Sequence, residues 1–169
     1  MKKIILLIAL TVTSMVTNAQ SFFDSLEDMD GVDMVVVNKD MFELLSKFGP
    51  DKMKDNEAMQ IFTMIKDLKN LKVFSTDDAI IADKMETMAN SAIKKHNLTE
   101  LMRIKEDDSR VKIYVKSTKN KEYVSEVLMF IKGIDKQTKG ISKSMIVSLT
   151  GNIDISKLSA LANTFTEKK

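Results

Sequence analysis

The chain has no cysteine and a single histidine among its 169 residues. Disulfides are therefore excluded, as is a lipid-bearing cysteine behind an export signal. A conventional zinc site goes with them, because it takes three or four nitrogen or sulfur ligands. The five glycines are scattered, and none belongs to a G-x-G-x-x-G or G-x-x-x-x-G-K phosphate loop. No serine sits in a G-x-S-x-G elbow. Aromatics make up only 6% of the chain, which leaves little to stack on bases and argues against nucleic acid as a partner. Beyond the first residues, no apolar run is long and charge-free enough to span a bilayer.

What is present begins with an address. Met1-Lys2-Lys3 is a positive start, Ile4 to Leu10 an apolar run, and Thr17-Asn18-Ala19 a small-residue exit before Gln20. This is the three-part plan of a secretory signal peptide, with cleavage expected after Ala19. Export leaves a mature chain of residues 20–169 without a transmembrane segment. Its length suits a single domain burying roughly 68 to 70% of its extended-chain surface.

The mature charges balance at 24 basic and 24 acidic residues, but unevenly. Residues 20–100 hold 10 basic and 16 acidic side chains, whereas 110–143 hold 9 basic and 3 acidic. The basic stretch coincides with the best strand signal. In RVKIYVKS, Val111, Ile113 and Val115 alternate with Lys112, Tyr114 and Lys116, the two-residue period of a strand with one buried and one solvated face. LTELMRIKE, YVSEVLMFIKG and SMIVSLTG flank it across short polar breaks, giving an antiparallel meander of four strands. Lysine at outward strand positions protects sheet edges. It also offers an electropositive face to an anionic lipid or an acidic partner.

Around the meander, VDMVVVN (residues 32–38) is apolar on both sides and reads as an interior strand. Asn38 or Asp40 caps a helix with Met41, Leu44, Leu45 and Phe48 on one stripe, ended by Gly49-Pro50. A second helix is expected over residues 56–68 and a short strand over 71–75. A third helix runs from a Thr76 cap to His96, burying Ile81, Met85, Met88, Ala89 and Ala92, with Asn97 placed to stop it. Asn152-Ile153-Asp154 caps a last helix with Leu158 inward. The fold class is therefore α+β in two layers: a largely antiparallel sheet with helices packed on one face.

Candidate chemistry is sparse. His96 stands at a helix end, where an imidazolium complements the negative pole, so capping accounts for it better than catalysis. Asp28, Asp30 and Gly31 resemble the middle of a calcium loop, but its first position is Leu26 and its bidentate position Val37. Methionine is abundant, yet Met59, Met85, Met88, Met102 and Met145 fall on core stripes, where a thioether is adaptable packing rather than a copper ligand. No catalytic residue, metal ligand or cofactor is assigned.

The Ala19-Gln20 junction, VDMVVVNKDMFELLSKF, RVKIYVKS and SMIVSLTGNIDISKLSAL together resemble the uncharacterised exported Bacteroidetes proteins of the domain of unknown function 4252 family. The resemblance covers nearly all of the mature chain. It implies a periplasmic or cell-envelope setting in a Gram-negative cell and an association with envelope stress, and it supplies no catalytic residue. Some members carry a lipobox cysteine, which this chain lacks. The expected function is a non-catalytic binding module for an envelope protein or anionic lipid, using a basic sheet face of Lys112, Tyr114, Lys116 and Lys121. The alternative is a periplasmic carrier of a lipid or small hydrophobic ligand.

Overall fold

The computed structural model describes residues 23–47, 67–106, 109–133, 144–156 and 158. The strands are β1 (Asp33–Asn38), β2 (Leu68–Thr76), β3 (Thr99–Glu106), β4 (Ser109–Ser117), β5 (Tyr123–Lys132) and β6 (Ser144–Asp154). Among the described residues three helices accompany them: α1 (Asp24–Glu27), α2 (Lys39–Lys47) and α3 (Ala79–Lys95). The strands form one sheet in the order β1-β2-β6-β5-β4-β3, antiparallel at every junction. The expected meander is present as β3 to β6, and β2 and β1 extend the sheet beyond β6.

Two expectations about strands change. Residues 32–38 were expected inside the sheet, yet β1 is its edge, with Met34, Val35 and Val36 exposed at 43, 56 and 42%. An interior strand of that kind is β5, whose run Val127 to Ile131 is buried without interruption. Both stretches carry continuous apolar runs, and among the described residues only β5 has a strand partner on each side. The short strand expected at 71–75 spans Leu68–Thr76, so Leu68 belongs to it and not to a preceding helix. Asp67 is a turn, and residues 56–66 of that expected helix lie outside the described residues, as do the side chain of Leu45, Phe48 and the expected signal segment.

Because β5 alternates within a wholly buried run, it feeds two cores on opposite faces. Val127, Met129 and Ile131 join Val111, Ile113, Val115, Val147 and Leu149 on one face, where α2 adds Phe42 and the chain end adds Leu158. Leu128 and Phe130 join Phe74 and Ile146 on the other, where Phe23 and, from α1, Leu26 are added, and α3 adds Met85, Ala89 and Ala92. The expected two-layer arrangement with helices on one face is thereby corrected. Among the described residues, helix lies against both faces. The reason is physical: strands apolar on both sides leave no face that tolerates water.

Helix ends follow local chemistry. Asn38 Oδ1 accepts from Met41 N–H at 3.0 Å, which starts α2 as expected. For α3 the cap is Asp78 and not Thr76: its Oδ1 accepts from the N–H groups of Ile80 and Ile81. Thr76 is buried, donates to Gly31 O at 2.7 Å and accepts from Asp78 N–H, so it ties the helix start to the turn before β1. At the other end Asn97 adopts φ 54°, the left-handed conformation that stops a helix. The buried stripe of α3 contains Ala82 in addition to Met85, Ala89 and Ala92, while Ile81 and Met88 are half-buried.

Candidate functional site

The residues expected to form a basic face do not form an open one. Lys112, Tyr114 and Lys116 share a face by alternation, but it is the face on which α3 packs, since their cross-strand partners are Phe130, Leu128 and Glu126. Lys121 stands apart in the exposed turn between β4 and β5. Lys112 Nζ approaches Glu86 of α3 at 3.9 Å. Tyr114 packs against the α3-side core and stands opposite Glu100 across the β3–β4 pair. Burial raises its pKa, and so does the Glu100 carboxylate beside the hydroxyl. Lys116 is exposed and opposite Glu126, whose Oε1 lies 2.6 Å from His96 Nδ1 at the C-cap of α3.

The charge imbalance seen in the sequence is in large part an internal matter. Lys132 Nζ binds Asp83 at 3.1 Å and Glu86 at 2.9 Å, both on α3. The hydrogen bonds it donates to Glu86 and then Asp83 raise its pKa. On β2, Lys72 binds Asp24 and Glu27 of α1. Burial of the Lys72 ammonium opposes its charge, yet the hydrogen bonds to Glu27 and Asp24 outweigh this and raise its pKa. Acidic helices are thus docked on a basic sheet through specific lysines.

Beyond the edge of α3 a basic band remains on the outer strands. Arg103 faces Lys112, Lys105 faces Arg110, and Arg110 faces Lys132, so a row of three cations crosses β3, β4 and β5. Arg103 is held by Glu100 at 2.6 Å; that hydrogen bond, reinforced by Tyr114, lowers the Glu100 pKa. Like charges directly opposite on neighbouring strands are destabilising; Lys132 is compensated by Asp83 and Glu86, whereas the docking of α3 gives no such reason for setting Lys105 opposite Arg110. Arg103, Lys105 and Arg110 are not among the residues that the sequence singles out. Their signal was present: basic residues two apart on each arm of one hairpin fall on one face once the register is known.

Other features are modest. Among the described residues no group of three or more His, Cys, Asp or Glu side chains could hold a metal ion. A shallow depression open to solvent is lined by Met29, Ile80, Asp83, Lys84, Thr87 and Met88. No helix among the described residues is long and apolar enough to cross a membrane.

The family model described as Domain of unknown function (DUF4252) matches residues 23–161. The chain belongs to this family. No curated protein and no solved structure matches the chain. In DUF4252 terms, the matched span runs from Phe23, beside α1, past Leu158, so it takes in both cores and both edges of the sheet.

Proposed function

We propose that this DUF4252 protein is an exported, non-catalytic binding module of the cell envelope. It meets an acidic partner protein through Arg103, Lys105 and Arg110, backed by Lys112 and Lys132. The observation that carries the reading is the row of cations set directly opposite one another on β3, β4 and β5. Carboxylates interleave with the band: Glu100 beside Arg103, and Glu86 between Lys112 and Lys132. A mixed pattern held in fixed geometry suits a protein surface of complementary pattern. An anionic membrane recruits a uniformly basic cluster instead. Direct packing of Phe74, Met85, Leu128 and Ile146, all essentially without exposure, weighs against carriage of a lipid between sheet and helices.

The test is capture of envelope proteins by the purified chain. Lys105→Glu combined with Arg110→Glu is expected to abolish capture of an acidic partner without changing the melting temperature, and wild-type capture is expected to weaken with salt. Capture that survives the double reversal removes the proposal. Lys112→Glu is a poor probe, because it sets a second carboxylate beside Glu86 and destabilises α3 docking. Export is tested separately by N-terminal sequencing of the chain from the envelope fraction, where Gln20 is the expected first residue.

A further inference from the structure

The two edges of the sheet are built differently. The β3 edge carries Glu100, Arg103 and Lys105, and its register with β4 breaks between Glu100 and Met102, placing a bulge at Leu101. Charges and bulges are the devices that keep an edge from pairing with another chain. The β1 edge has neither. Its register with β2 is unbroken, it has no charge between Asp33 and Lys39, and it contains no proline. Met34, Val35 and Val36 are all exposed, and successive side chains point to opposite faces, so apolar surface flanks the edge above and below the sheet. On α2, Met41 and Leu44 are exposed as well and widen the apolar patch past the strand. That extension matters, because specific dimers generally bury more than about 1,000 Å².

We propose that this edge is closed by a second copy of the chain, the two β1 strands pairing antiparallel about a two-fold axis to make one continuous sheet. The stretch is close to its own antiparallel complement: Asp33 opens β1, Met34 to Val37 are apolar, and Lys39 follows Asn38 as the first residue of α2. Two-fold pairing along one edge joins residues of like parity, since only every second residue directs its N–H and C=O outward. The axis must therefore pass through a residue, either Val35 or Val36. With Val36 on the axis, Asp33 faces the partner's Lys39 and Val35 faces the partner's Val37. With Val35 on the axis, Asp33 faces an apolar Val37 and Lys39 faces Gly31. Charge complementarity selects Val36. Lys39 is available for the exchange, because its contact with Glu43 is an exposed pair one helical turn away. A closed isologous interface is also the commonest way for one chain to cover such an edge.

The purified protein is expected to sediment as a dimer. Asp33→Lys should weaken self-association by about tenfold or more, and Asp33→Lys combined with Lys39→Asp should restore it. The chain has no cysteine, so single cysteines report the register: Val36→Cys is expected to give a disulfide-linked dimer under mild oxidation, and Met34→Cys is not. The charge swap covers the case in which a cysteine variant fails to fold. A chain that stays monomeric at its highest soluble concentration overturns the proposal. So does a dimer that ignores Asp33→Lys, or one that cross-links through Met34→Cys and not Val36→Cys.

Discussion

At Gly151, β6 lies tight against the start of β2. The glycine adopts φ +146°, and a Cβ there would lie 2.5 Å from the carbonyl oxygen of Asp67 and 2.8 Å from Leu68 Cα. The same carbonyl accepts from Asn152 N–H at 3.1 Å, so it is fixed and cannot retreat. Gly151→Ala is therefore expected to cost about 1–3 kcal/mol through backbone strain, seen as a lower melting temperature with the far-UV spectrum kept. In the sequence this glycine reads as the end of a strand, because glycine usually punctuates one. β6 instead continues to Asp154. The clash that demands glycine comes from a segment more than 80 residues earlier, which no local pattern reveals. Asn38 and Asn97 were legible for the opposite reason: capping and stopping a helix involve neighbours within one turn.

At the scale of elements, periodicity found the meander and α3 but could not place the elements against one another. VDMVVVN and VLMFI are equally apolar, and the difference between an edge and the centre lies in their partners. Nor could it show how the helices are fixed. Sheet lysines 72 and 132 reach carboxylates 45 to 49 residues away, on α1 and α3. Both lysines have pKa values raised in the fold. A raised lysine pKa contributes stability that is whole below the unfolded value and is lost as pH rises through the folded one. Stability is thus expected to be insensitive to these two groups at neutral pH and to fall above the ordinary lysine range. Lys72→Met keeps the aliphatic stem and removes the charge. It should cost about 1 kcal/mol at neutral pH and flatten part of the alkaline decline. Thermal melts of both proteins across the alkaline range check this. An unchanged alkaline slope would mean that α1 is held by Phe23 and Leu26 alone.

For the molecule as a whole, the decisive property is that one sheet serves two cores, so its faces are occupied and its edges are what it has to offer. The basic band lies toward one edge and the bare β1 strand forms the other. This depends on α2 being structural, which makes a prediction that a one-sided sheet does not share. Phe42 and Met85 are both buried, the first in the core on the α2 face and the second in the core beneath α3. Truncating either removes packed atoms and leaves a cavity, so Phe42→Ala should cost about 3–5 kcal/mol and Met85→Ala about 2–5 kcal/mol. Against a typical total of 5–15 kcal/mol, each is a large fraction. Since alternate residues of β5 belong to the two cores, neither can melt without exposing the strand both depend on. Each variant is therefore expected to unfold in one transition, with tyrosine fluorescence and far-UV circular dichroism coincident. Were α2 only resting on a solvated face, Phe42→Ala would stay within about 0.5 kcal/mol of the wild type, as surface substitutions do. The α2 face of the sheet would then rejoin the edges as surface available to a partner.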